Sequence, residues 1–133
     1  MAVLSDMAYS PVVVSLPIAD RRTSSAFYSA VLGLDPFGDP ADDGVPEPLQ
    51  FALNDGLHLM LVPKGGFGWV IGDRSAAKHG QIESVLSLSG DVDALIARAR
   101  AAGAEIVTEP ARQPWGYTGT FADPDGHLWM VTA

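Results

Sequence analysis

Residues 51–60, Phe-Ala-Leu-Asn-Asp-Gly-Leu-His-Leu-Met, and residues 121–130, Phe-Ala-Asp-Pro-Asp-Gly-His-Leu-Trp-Met, are two versions of one decapeptide. Phe51 and Phe121, Ala52 and Ala122, Asp55 and Asp125, Gly56 and Gly126, and Met60 and Met130 match at a constant spacing of 70 residues. In each copy an apolar run meets an Asp-Gly pair and resumes as a second apolar run, which is the signal of a β-hairpin. A chain that carries the same hairpin twice, with similar flanking order, reads as an internal duplication. That reading restricts the fold to two like units that share one core.

The 133 residues suffice for one domain with a real core. Cysteine is absent, which excludes disulfides, thiolate catalysis and zinc-thiolate sites. Sixteen acidic residues against eight basic ones would repel a phosphate backbone, so nucleic acid is not an expected partner. The acidic field favours solubility first and a cationic ligand second. The chain shows no apolar run of transmembrane length and no signal-peptide pattern at its start, so a soluble, cytoplasmic protein with no membrane partner is expected.

Residues 1–10 show no period. Residues 12–18 are rich in β-branched side chains and read as a strand. Asp20 caps a helix whose apolar positions Ala26, Phe27, Ala30 and Val31 recur at helical spacing, and Gly33 stops it. Residues 34–48 hold four prolines and five acidic residues, which predicts a strand start followed by an exposed loop. The first hairpin follows over 49–62. Alternation along its second strand places Leu57, Leu59 and Leu61 on one face and His58, Met60 and Val62 on the other.

Residues 63–80 form a connector whose Gly65-Gly66-Phe67-Gly68-Trp69 core is too rich in glycine for a helix and is expected to be a loop. A strand over 82–88 then leads to Asp91, the cap of a second helix with the stripe Val92, Leu95, Ile96 and Ala99 and a stop at Gly103. A short strand over 104–107, a loop over 110–114 and strands over 115–122 and 128–132 complete the chain. The expected fold is a single α+β domain over 1–133 with two βαβββ modules, about 9–63 and 81–133, joined by a linker over 64–80. Their strands would form a curved mixed sheet around a cleft, with helices on the outer face.

The chain resembles the vicinal oxygen chelate superfamily, which includes glyoxalase I, extradiol dioxygenases and the fosfomycin and bleomycin resistance proteins. The resemblance rests on Leu16-Pro17-Ile18-Ala19-Asp20, on residues 26–34, on Asp91-Val92-Asp93-Ala94-Leu95, and on Pro114-Trp115-Gly116 leading into Asp123-Pro124-Asp125-Gly126-His127-Leu128-Trp129. It is specific for the fold and weak for activity, since one scaffold serves lyases, oxygenases, transferases and binding proteins.

The resemblance implies that catalytic members hold a divalent metal with four side chains, one from the first and one from the last strand of each module. Counted back from the two capping aspartates, the first-strand positions fall on Val13 and Ser84, and the last-strand positions fall on Met60 and Met130. None suits a hard divalent cation, so no metal and no cofactor is expected. A one-residue change of register would bring in Glu83 or His127 and would turn the strands inside out.

His58, two residues before Met60, shares the expected cleft face and is the candidate general base or hydrogen-bond donor. His79 and His127 fall in or beside loops and are expected to be exposed, and Trp129 is expected under the second helix. Phe67, Trp69, Trp115 and Tyr117 are the candidate walls of an apolar pocket floored by Met60 and Met130, with Val13 and Ser84 at its crossing point. The leading functional expectation is metal-independent binding of an apolar or aromatic small molecule, in a resistance or sequestration role. The resemblance implies a homodimer whose clefts use both chains. The alternative is an enzyme of the lactoylglutathione lyase, isomerase or dioxygenase kind, with displaced metal ligands or with His58 as a metal-free base.

Overall fold

A computed structural model describes residues 11–81 and 84–133 of the chain; residues 1–10, Ile82 and Glu83 lie outside the described residues. The first module runs β1 (Val12–Ile18), α1 (Arg21–Leu32), β2 (Leu49–Asn54) and β3 (Leu57–Pro63). A helix α2 (Lys64–Ile71) follows, and the second module runs β4 (Val85–Ser89), α3 (Val92–Ala101), β5 (Glu105–Gln113), β6 (Gly116–Ala122) and β7 (Leu128–Thr132). The sheets are ordered β1-β3-β2 and β4-β7-β6-β5, and in each the first strand lies parallel to the last. These are the two βαβββ modules expected. In the first, residues 34–48 form no named strand: a Phe37 N–H bond to the Gln50 carbonyl and a Pro40–Pro46 bridge stand where a strand start followed by a loop was expected.

Local chemistry sets the helix ends. Asp20 accepts from the Thr23 N–H and Asp91 from the Ala94 N–H, so each helix begins where a carboxylate satisfies a first-turn donor. Both helices then bury one face. Phe27, Tyr28 and Val31 of α1 and Val92, Ile96 and Ala99 of α3 are buried, and the helices meet where the Arg98 Nε–H donates to the Val31 carbonyl. Gly119 of β6 lets α3 approach closely, since a Cβ there would sit 3.0 Å from Ile96.

The core is continuous across the modules. The Tyr28 ring lies 6.1 Å from Phe51 of the first sheet and 5.8 Å from Trp129 of the second, and Trp129 stacks on Phe121. Trp129 is buried as expected, but its polar partner is Tyr28 of the first helix. Burying each large apolar side chain stabilises the fold by roughly 1.5–3 kcal/mol. One aromatic cluster therefore couples the halves.

Two local expectations are corrected. The glycine-rich connector forms the helix α2, although three glycines cost it about 3 kcal/mol relative to alanine. Tertiary contact outweighs propensity here: Phe67 and Ile71, one turn apart, face the same cavity as β1, and Gly66 lies against Val62. The segments over 104–107 and 110–114 are one strand, β5, which runs through Pro110. It is an edge strand with register shifts on either side of Thr108, where a missing N–H is tolerated. Among the described residues no helix is long and apolar enough to cross a membrane.

Candidate functional site

Strand register decides which side chains share the sheet faces turned away from α1 and α3. In the first sheet Leu16, Ile18, Leu59 and Leu61 are buried on the helix side, so Val13, Ser15, His58 and Met60 occupy the open face. The parallel pairing sets Val13 beside His58 and Ser15 beside Met60. In the second sheet Trp129 and Val131 are buried, and Met130 lies beside Ser87 of β4. Each methionine thus neighbours a serine.

Strand pairing sets other residues beside the two methionines than those counted from the caps. Val13 is one open-face step away from the residue beside Met60, which is Ser15. Ser84 precedes β4, whose open-face residues are Val85, Ser87 and Ser89. Ser84 falls out of phase because the strand-to-cap link is one residue shorter in the second module: Ser15 precedes the capping Asp20 by five residues, and Ser87 precedes Asp91 by four. Counting back equally from both caps therefore changes face in one of them.

A cavity of about 360 Å³ lies where the modules meet. Ser15 and Pro17 of β1 form one wall, Phe67 and Ile71 of α2 a second, Arg74, Lys78, Gln81 and Ser84 a third, and the turn from Asp125 to Leu128 the fourth. A neighbouring cavity of about 390 Å³ shares Pro17, Phe67, Arg74, Lys78 and His127 and adds Lys64 and His79. Among the binding residues expected from sequence, Phe67 and Ser84 line this space; Val13, His58, Met60, Trp69, Trp115, Tyr117 and Met130 do not.

The floor is built on a buried carboxylate. Asp123 Oδ1 accepts from the backbone N–H groups of Asp125 and His127, at 2.9 and 2.8 Å, and Oδ2 accepts from the Tyr28 hydroxyl. Burial holds the Asp123 carboxyl above its usual pKa despite those donors. Burial also pushes the Tyr28 phenol well up, so it remains a donor at neutral pH while accepting from the Trp129 indole N–H. Asp125 reaches back to the first module, accepting from the Ala19 N–H at 2.8 Å and the Ser24 hydroxyl at 3.4 Å. His127, expected to be exposed, is half-buried and donates Nε2–H to the Pro17 carbonyl at 2.6 Å, which fixes its tautomer. His79 is exposed and lies over Gly126. The clue to this network was in the repeat: Asp123 and His127 stand where the first copy has Leu53 and Leu57.

A family model described as the Glyoxalase/Bleomycin resistance protein/Dioxygenase superfamily matches residues 11–131. The chain belongs to this superfamily. Among solved structures, a glyoxalase-related enzyme from Fulvimarina pelagi is 26% identical with a TM-score of 0.77, over 94% of this chain and 88% of that one. Hypothetical protein SA1046 from S. aureus is 22% identical with a TM-score of 0.77, over 100% and 99%. TnmS3 from Streptomyces sp. CB03234, an antibiotic binding protein, is 23% identical with a TM-score of 0.61, over 95% and 96%. A search of curated proteins finds no match.

Metal-dependent members of the superfamily need imidazole and carboxylate donors at the paired first and last strands. On its last strands this chain presents two thioethers, Met60 and Met130, each beside a serine, and at the counted first-strand positions Val13 and Ser84, a set that does not fit a hard divalent cation. Among the described residues no three His, Asp or Glu side chains group as metal ligands. Glu83, the neighbour considered under a shifted register, lies outside the described residues. His58 packs edge-on against Phe37 with ring centres 5.1 Å apart. The expected aromatic wall is dispersed: Trp69 is 85% exposed on α2, Trp115 is 69% exposed before β6, and Tyr117 faces α3 with its hydroxyl donating to Asp93.

Proposed function

We propose that the protein binds a small molecule with an apolar or aromatic body in the cavity beneath α2, without a metal, and acts by sequestration. The observation that carries this reading is the cavity itself. At about 360 Å³ it lies within the range of small-molecule sites, and it is walled by Phe67, Ile71 and Leu128 on one part and by hydroxyl and amide groups on another. The description of TnmS3 as an antibiotic binding protein is consistent with such a role on this scaffold. Met60 and Met130 on the last strands, with no imidazole or carboxylate among the described residues beside them on the first strands, favour binding over metal-assisted chemistry.

The protein works as a cytoplasmic homodimer in this reading. Val13 and Val85, on the open faces, are 41% and 47% exposed, and a second copy would cover them. Sequestration predicts stabilisation by mass action, about 2.7 kcal/mol at a ligand concentration of 100 times Kd. A thermal-shift panel of aromatic metabolites and antibiotics, run with a chelator present, is expected to yield hits. Flat melting curves across the panel, or hits that appear only on adding nickel, iron or manganese, would overturn the reading. Light scattering on the eluting peak is expected to give twice the 14.0 kDa chain mass.

A further inference from the structure

We propose that the ligand of this cavity is an anion: a molecule whose negatively charged head meets Arg74 and Lys78 while its apolar body lies against Phe67 and Ile71. The inference rests on the reading of this cavity as the ligand site and adds the charge of what enters it. It runs against the chain's overall balance of 16 acidic to 8 basic residues, which taken alone favours a cation. The cavity walls reverse that balance. Lys64, Arg74 and Lys78, which include both lysines of the chain, line the two contiguous cavities together with His79 and His127.

Among the described lining residues the one carboxylate is Asp125, and both its oxygens are engaged by the Ala19 N–H and the Ser24 hydroxyl. Asp73, outside the lining and fully exposed, lies 4.0 Å from Arg74 Nη1, a solvent-screened pair that a ligand head can displace. Short-range groups decide the selectivity. The Debye length is about 8 Å at physiological salt, so distant surface carboxylates are screened while side chains lining the cavity act at contact range. Further donors are at hand. The Gln81 side-chain oxygen accepts from the Lys78 N–H, which leaves its amide NH2 to donate, and Ser15, Ser75 and Ser84 supply hydroxyls. The His127 Nε2–H is committed to the Pro17 carbonyl, so this ring is a wall of the cavity and not one of the donors to the anion.

The test uses three probes with one body and different heads: phenylbutyrate, phenylbutylamine and phenylbutanol, titrated into the full-length protein by calorimetry. The acid is expected to bind about tenfold or more tightly than the amine and the alcohol, with an affinity that falls as salt rises. The double variant Arg74→Gln/Lys78→Gln is expected to erase that preference, bringing the affinity of the acid down to that of the alcohol measured in the same variant. Arg74 has an 82% exposed side chain, and both substitutions lie outside the buried core, so the fold is retained. Equal or tighter binding of the amine would overturn the proposal and leave the small-molecule reading standing. So would a preference for the acid that survives in the double variant. Absence of binding by all three would overturn the proposal, and hits in the wider panel would then decide the fate of the parent reading separately.

Discussion

The two hairpin turns began as copies and now do different work. The first, at Asn54-Asp55-Gly56, is exposed; its Asn54 Oδ1 accepts from the Gly56 N–H at 2.8 Å, and its other tie is a backbone bond from Val12 to Gly56. The second buries Asp123 and Gly126 and reaches the first module through Tyr28, Ala19, Ser24 and Pro17. Both use a side-chain oxygen to accept an N–H two residues on, the same local solution to a tight turn. The difference comes from Leu53 and Leu57 of the first copy becoming Asp123 and His127 in the second. Those two substitutions, together with the retained Asp125 that holds Ala19 and Ser24, make a joint between modules and the floor of a cavity where the first copy has a solvent-facing tip.

The largest test removes the acceptor from each turn. Asp123→Ala strands the Tyr28 hydroxyl and the Asp125 and His127 N–H groups in a buried site, an expected loss of about 3 kcal/mol. Asn54→Ala removes one bond in an exposed turn and should stay within about 0.5 kcal/mol of wild type. Urea unfolding midpoints measure both. Equal losses would erase the distinction between the turns.

Next in size is the matched glycine pair. Gly126 has φ +90°, and a Cβ there would lie 3.1 Å from the His79 ring and 3.2 Å from the Gly80 nitrogen, so Gly126→Ala is expected to cost about 2 kcal/mol. At Gly56 the nearest obstacle is the Asn54 side chain at 3.6 Å, and Gly56→Ala should cost less than about 1 kcal/mol. A thermal-denaturation pair would show whether close packing separates the turns as their hydrogen bonds do.

The sequence made local features legible and non-local ones poorly so. Both capping aspartates, the stripes of α1 and α3 and both hairpins rest on contacts within a few residues, and they stand where spacing put them. Helix α2 was hidden because what holds it lies across the cavity at β1 and β3, while its own glycines argue against it. The register of β1 and β4 was half-legible: the facing of Met60 and Met130 follows from alternation, but which first-strand residue lies beside each, Ser15 or Ser87, depends on strand pairing, and a one-residue difference before the cap put Ser84 out of phase with the open face of β4. The charge of the cavity was beyond reach, since Arg74 and Lys78 acquire meaning only once the connector is laid beside β1 and the second turn.

The smallest test is the most specific to the buried turn. Burial places the folded-state pKa of Asp123 above the ordinary 3.8, so ionisation costs the folded state more than the unfolded one. The stability that Asp123 contributes is fully present below that ordinary value and declines as pH rises through the raised one. Asp123→Asn keeps an oxygen for the two backbone donors and removes the titration. Unfolding free energies of the two proteins are therefore expected to shift in favour of Asp123→Asn over that interval and to run parallel above it, with other carboxylates cancelling in the difference. If wild type instead gained on the variant as pH rose, the bonds from Tyr28 and the two amides would outweigh the cost of burying the charge. The second turn would then be held by an ion's hydrogen bonds, and the contrast with the exposed Asn54 turn would be electrostatic in origin.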